Sequence, residues 1–529
     1  MNYDILIKNG RIADGTGNPW FWGDVGIKKD KVIKIGKIAE EYSNTIIDAK
    51  ELVVSPGFID IHTHTDIFHL INPLGDSFIK QGVTTNVIGN CGSSVFPVSE
   101  YMKPRYMETL KEYDLEMDWA TLDDFFQKVE KNGVSLNVGS LIGHGTVRMA
   151  IMGMENRSPT AQELNDMKEL IADSMKQGAF GLSSGLWYTP GSFANMDEMI
   201  ELAKITAEYG GIYATHMRSQ ENQLIDAMNE TIEIGKKANI PVQISHNIAA
   251  GGKKNWGKIK QTYKMMNKAR NEGLDITCDV YAWIASSSGL TSYIPHWVHD
   301  GGIQQLVSRL KDPELRTIVK KDMKNETRVS IEEIGFENLM ISNSPNHREY
   351  QGKNIAELAL EKGVDNYDFI FDLIIEEEGG VSLIAFELSP EDVTNAIIDP
   401  LSMIGSDGSA TAPSVIVRGK PHPRYYGNFV KVLGKYVREM EVLTLEDAVR
   451  KMTSMPAQKL GLFERGILRS GFCADIVVFD PQKIATKATF LDPHKFPVGV
   501  KSVIVNGEIT VSDGTHLGTK AGKILRKTL

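Results

Sequence analysis

The segment Ser55-Pro-Gly-Phe-Ile-Asp-Ile-His62-Thr-His64-Thr-Asp66 closes an apolar run with two histidines two residues apart. In an extended strand alternate side chains share a face, so Asp60, His62 and His64 are expected to point one way and Ile59, Ile61 and Thr63 the other. Two imidazoles then converge on one point, which suits zinc or a similar transition metal. Taken alone, a His-x-His is as readily a hydrogen-bonded pair inside a β-protein. Further residues of this kind stand at the ends of later apolar runs: Cys91, His144, His216, His246, Asp279 with Tyr281, and Asp407.

The runs that carry them are short and apolar, at 58–62, 84–89, 136–143, 179–183, 212–216, 242–246, 276–281 and 401–406. Between them lie amphipathic stretches such as 196–209, 221–238 and 258–271, with apolar residues three and four apart. Eight β-then-α units predict an α/β fold, a parallel (β/α)8 barrel of the TIM type whose strands are buried on both faces. The active site of such a barrel lies where the C-terminal ends of its strands meet. So many ligand-type side chains arriving at that one end form a metal-hydrolase arrangement.

Residues 3–54 read instead as β-segments without helical period, and the end of the chain returns to that character in Ala474-Asp-Ile-Val-Val-Phe-Asp480 and Val503-Ile-Val-Asn-Gly507. Neither end has apolar material for a core of its own. The expected division is a small β-sandwich domain from 1–55 plus 465–529 and a barrel over 56–464. The interval from about 284 to 400 is much longer than an ordinary βα connection and reads as an insertion after strand seven, either covering the active site or elaborating the surface. At 529 residues, 42% hydrophobic and 24% charged, the chain has the composition of a soluble globular protein of more than one domain. The 68 acidic residues outnumber the 58 basic ones, which disfavours nucleic acid as a partner. No run reaches the roughly 20 apolar residues of a membrane span, and the first residues lack the layout of a signal peptide, so no membrane and a cytoplasmic location are expected. Three scattered cysteines, Cys91, Cys278 and Cys473, make no disulfide framework.

The strings Val54-Ser-Pro-Gly-Phe-Ile-Asp-Ile-His-Thr-His, Ala214-Thr-His-Met-Arg218, Ile244-Ser-His246 and Ile404-Gly-Ser-Asp-Gly408 resemble the amidohydrolase superfamily. Gly89-Asn-Cys-Gly92, Gly178-Ala-Phe-Gly-Leu-Ser-Ser-Gly185, His422-Pro-Arg424 and Gly471-Phe-Cys-Ala-Asp resemble, more closely, its N-acyl-D-amino-acid deacylases. The resemblance implies a tightly held Zn2+ on Cys91, His216 and His246, and a second, weaker site on His62 and His64 with Cys91 as a bridging thiolate. It implies that Asp407 takes a proton from the attacking water and hands it to the leaving nitrogen. Arg424 and Tyr281, joined by Ser287, would hold the substrate's α-carboxylate, and His144 would serve as a donor to the oxyanion or as a polar wall. The implied substrate is a small N-acyl-D-amino acid, with a dipeptide ending in a D-residue as an equal fit to the site. A cyclic-amide hydrolase of the dihydropyrimidinase type and a non-catalytic scaffold are the rivals. One departure bears on substrate: relatives carry a lysine where this chain has Ile248, and Lys253 or Lys254 would have to replace it.

Overall fold

In the computed structural model, which describes residues 3–38, 43–325, 331–413 and 419–528, eight parallel strand positions follow one another around a barrel. They are Phe58–Asp60, Val83–Ile88, Asn137–Ser140 continued by Ile142–Gly143, Gly181–Gly185, Ile212–His216, Val242–Ile244, Ile276–Val280 and Ser402–Ile404. Every residue in them is buried, which is why they read as unbroken apolar runs rather than as an alternating pattern. The third strand is interrupted at Leu141, whose amide donates to Ile88 O at 2.9 Å. Closure comes just past the ends of the first and last strands. Thr63 pairs in parallel with Gly408, His64 N donates to Gly408 O at 2.7 Å, and Asp407 N donates to His62 O at 2.9 Å.

Three strands end earlier than expected: the first at Asp60, the sixth at Ile244 and the eighth at Ile404. The backbone turns out of the extended region there, with φ of 34° at His246 and 49° at Asp407, and Cys91 after strand two has φ of 50°. Such values are uncommon for residues with a Cβ, and each costs of order 1–3 kcal/mol that the surroundings must offset.

Helices cover the barrel on caps written into the sequence. Thr121 and Asp124 form a capping box at the start of Leu122–Asn132, as do Thr160 and Glu163 at Ala161–Lys176. The expected insertion holds a three-stranded antiparallel sheet, Leu339–Asn343 and Ser286–Gly289 on either side of Ser382–Ala385. It has its own apolar cluster, including Leu306, Leu310, Phe371 and Leu383, and Trp187 from the end of strand four is part of it. The last piece of the interval, Pro390–Ile398, is a helix packed back on the barrel beside strands seven and eight.

Strands from both chain ends make one nine-stranded sheet. Ile476–Phe479 sits between Val53–Pro56, which leads into the barrel, and Val500–Val505. Ile27 and Val32 near one end of the sheet share an apolar cluster with Ile504 near the other, so the sheet curls over itself. The final residues leave it and run beside barrel strand three, where Val138 N donates to Lys523 O and Leu525 N to Val138 O.

Candidate functional site

The turn after strand two puts the Cys91 sulfur among imidazoles from three other strands. Gly92 is forced by the approach of strand four, since a Cβ there would lie 2.6 Å from Gly185 N and its φ is 74°. Sγ of Cys91 lies 3.3 Å from His62 Nε2 and 3.5 Å from His246 Nε2. Two groups of donor atoms share this sulfur, Cys91 with His216 and His246, and Cys91 with His62, His64 and Asp407; within each group the ligand atoms lie within 4.8 Å of one another. Cys91, His216 and His246 are all buried. Burial pushes the Cys91 thiol up, but His62 and His246 beside it more than reverse this and hold it well below the ordinary thiol value. Burial first, and then His246 beside it, drive His216 down to about 4, and its Nδ1 has no partner among the described residues. A thiolate and two imidazoles, one of them with an unsatisfied buried nitrogen, fit a tetrahedral site for a borderline metal with one position left open.

Asp407 faces this cluster from the end of strand eight. Its Oδ1 lies 3.1 Å from His64 Nε2 and 3.5 Å from His62 Nε2, and its Oδ2 lies 2.8 Å from Arg424 Nη2. Burial would raise the carboxyl, yet Arg424 first and then His64 hold it well below the usual carboxylate range, so it is ionised at neutral pH. Arg424, 3% exposed, lies 4.7 Å over the Tyr281 ring. Its Nε and Nη1 are buried without a partner among the described residues. An unsatisfied buried guanidinium edge is costly, and a planar anion is what would satisfy it.

Other expected site residues are placed differently. His144, fully buried, turns Nε2 to Glu198 Oε1 at 2.9 Å, and Glu198 also pairs with Arg148, while His144 Nδ1 has no partner among the described residues. Ser287 lies on the insertion sheet, where its hydroxyl donates to Leu383 O at 2.9 Å rather than joining Arg424. Ile248 is buried in the barrel's apolar cluster. The nearby Lys253 and Lys254 sit on an exposed turn, and Lys254 pairs with Glu333 at 2.9 Å. Cys278 is a buried thiol among Tyr263 and Ser402, pushed up to about 12 by burial.

The structure also shows residues that no motif announced. Gln220 Nε2 lies 2.8 Å from His246 Nδ1. Tyr188 stands edge-on to His216 with centroids 4.8 Å apart, and Trp187 lies 6.5 Å from the same ring. Since these two aromatics pack with the insertion's apolar cluster, the insertion covers one side of the site. Glu387 ties it down further, accepting from Gly251 N at 2.6 Å in the loop that follows His246.

The profile of the amidohydrolase family matches residues 45–511. The chain belongs to the amidohydrolase family. Within it the D-aminoacylase of Alcaligenes xylosoxydans xylosoxydans is 32% identical over 526 residues, covering 99% of this chain and 98% of that one. A crystal structure of a D-aminoacylase superposes with a TM-score of 0.84 at 33% identity, covering 99% of this chain and 100% of that chain. The N-acyl-D-glutamate deacylase of Bordetella bronchiseptica, solved with zinc and a phosphonate mimic of the tetrahedral intermediate, gives 0.83 at 30% identity with the same coverage. This amidohydrolase therefore shares the whole barrel and terminal sheet with the D-aminoacylase branch.

Proposed function

We propose that the protein hydrolyses the amide bond of N-acyl-D-amino acids, releasing a carboxylate and a free D-amino acid. The observation that carries this reading is the shared Cys91 sulfur flanked by four imidazoles, with ionised Asp407 on one side and the unpaired edge of Arg424 beyond it. The donor set fits zinc, with Cys91, His216 and His246 as the tighter group and His62, His64 and Cys91 as the weaker. A zinc ion held there supplies a water acidified to near neutrality and polarises a substrate carbonyl.

The chain's own residues supply the rest. Asp407, kept as a carboxylate by Arg424 and His64, accepts the proton of the attacking water and returns it to the leaving nitrogen. Arg424 offers two N–H groups to the substrate's α-carboxylate, and Tyr281 supports the guanidinium from its ring face. Trp187 and Tyr188 wall off the His216 side from water. A cyclic-amide hydrolase of the dihydropyrimidinase type would need a lysine at the end of strand four. Gly181–Gly185 carries none, and Cys91 stands between the two donor groups instead. Three free thiols suit a reducing cytoplasm.

The test is zinc quantification of the purified protein followed by hydrolysis of matched N-acetyl-D- and N-acetyl-L-amino acids, with L-Xaa-D-Xaa dipeptides alongside. Zinc near one equivalent or above and turnover confined to the D-series are expected. Equal rates on both enantiomers overturn the D-specific reading, and a zinc-free active enzyme overturns the metal reading.

A further inference from the structure

Asp279, at the end of strand seven, touches both donor groups through a single oxygen. Its Oδ1 lies 3.0 Å from His62 Nδ1 and accepts the His246 backbone N–H at 2.8 Å. Its Oδ2 accepts from Gln243 Nε2 at 3.1 Å, and Gln243 is oriented in turn by the Thr277 hydroxyl, which donates to its Oε1 at 2.7 Å. The carboxylate is 2% exposed, and no lysine or arginine pairs with it among the described residues. We infer that Asp279 is a positioning residue that links the two metal subsites: it fixes the ring of His62 for one and the backbone turn of His246 for the other.

Each half of this follows from geometry. A histidine that donates Nδ1–H to a carboxylate keeps its lone pair on Nε2, and Nε2 of His62 is the atom 3.3 Å from the Cys91 sulfur. His246 leaves its strand with φ of 34°, a conformation that must be held from outside, and its amide is held by the same Asp279 oxygen. Gly405 makes the arrangement possible. A Cβ at that position would lie 3.0 Å from His62 Cβ and 3.2 Å from Asp279 Oδ1, wedged between the two partners. No metal ligand lies at Asp279 itself, so its substitution removes no donor atom. An asparagine there must set its NH2 either against Gln243 Nε2 or against His62 and the His246 amide, so in both orientations a donor faces a donor.

The inference rests on the metal-dependent reading and is tested by metal binding without substrate. Zinc is removed from the full-length enzyme and returned in competition with a chromophoric chelator, for the wild type, Asp279→Asn, His64→Ala and Gly405→Ala, and the same series is loaded with cobalt(II) to read its thiolate absorption band. His64→Ala should weaken only the second equivalent. Asp279→Asn should weaken both equivalents by about 10-fold or more and shift the cobalt band, with the circular dichroism unchanged. Gly405→Ala, which deletes no polar group, should weaken the second equivalent in the same direction. Wild-type affinities in Asp279→Asn, or a loss confined to the second equivalent, overturn the inference. Should Asp279→Asn fail to fold, wild-type second-equivalent binding and an unshifted band in Gly405→Ala overturn it. A wild type that takes up no zinc refutes the metal reading instead, which keeps the two failures distinguishable.

Discussion

Removing the Arg424 guanidinium should leave two separate marks on the kinetics, because it meets both Asp407 and the space where the substrate's carboxylate would lie. In the free protein Nη2 is taken by Asp407 at 2.8 Å, while Nε and Nη1 have no partner among the described residues. Two charge-assisted hydrogen bonds to a carboxylate contribute roughly 1.5–3 kcal/mol each, less the desolvation of the substrate anion. We therefore expect Arg424→Ala to cost about 3 kcal/mol in kcat/KM for an N-acetyl-D-amino acid, on the order of 10²-fold. The matched amide, lacking the carboxylate, should lose far less. The second mark is on pH. Burial raises the Asp407 carboxyl and Arg424 is the largest opposing influence, so without it the pKa rises. Since the ionised form is the proton acceptor, activity is lost as pH falls through that pKa, and the acid limb of the kcat profile should move to higher pH. Arg424→Lys keeps the charge but not the fork, and should restore the acid limb more than the carboxylate preference. Steady-state kinetics of both substrates across pH would check this. Equal losses on acid and amide with an unmoved acid limb would refute the reasoning.

Cys91→Ala removes the one donor common to both groups, so metal analysis after dialysis should show loss at both, with activity lost in parallel. Asp407→Asn keeps the shape and the Arg424 contact on one side while abolishing proton acceptance; kcat should fall on the order of 10²–10⁴-fold with zinc content retained. Glu198→Gln removes the counter-charge of fully buried Arg148 while leaving an amide beside His144. Leaving one buried charge unpaired typically costs about 3–5 kcal/mol, so urea denaturation should show a large loss of stability, and a variant as stable as the wild type would show that the network carries no such burden. Trp187→Ala should lower stability and raise KM together, because the same ring packs in the insertion's cluster and beside His216.

The barrel was legible because its strands are buried on both faces and its helices are amphipathic, so the change of period from one to the other is printed in the chain. All eight strand positions stand where the apolar runs placed them. What the runs could not show was where the strands stop, since apolar character continues past Asp60, Ile244 and Ile404 while the backbone does not. The candidate donors were legible for a different reason: one cysteine or histidine at a strand end is as readily a core residue, but several arriving at the same end of one barrel are not. Their supports were not. Asp279 stands at a strand end like the candidate donors, but only the fold shows its Oδ1 against His62 Nδ1 and the His246 amide. Tyr188 and Trp187 carry no motif, and their role depends on an insertion that begins nearly 100 residues later. Ser287 shows the opposite case, an expected site residue whose hydroxyl is spent on Leu383.

The closure of the barrel and the assembly of the site are one event in this structure. The hydrogen bonds that join strand one to strand eight run between residues 62–64 and 407–408, the segments that bear His62, His64 and Asp407. Asp60 adds a further tie, accepting from Ser406 N at 2.9 Å while its carboxyl is pushed up to about 7 by burial. The left-handed conformations at Cys91, His246 and Asp407 are thus held by contacts that also complete the fold: the strand-four approach behind Gly92, the Asp279 carboxylate behind His246, and the His62 carbonyl behind Asp407. Strain of this kind persists only where the surroundings over-determine it. It follows that substitutions loosening the seam between strands one and eight should lower metal affinity before they unfold the barrel, because the first geometry to relax is the one that costs most to maintain.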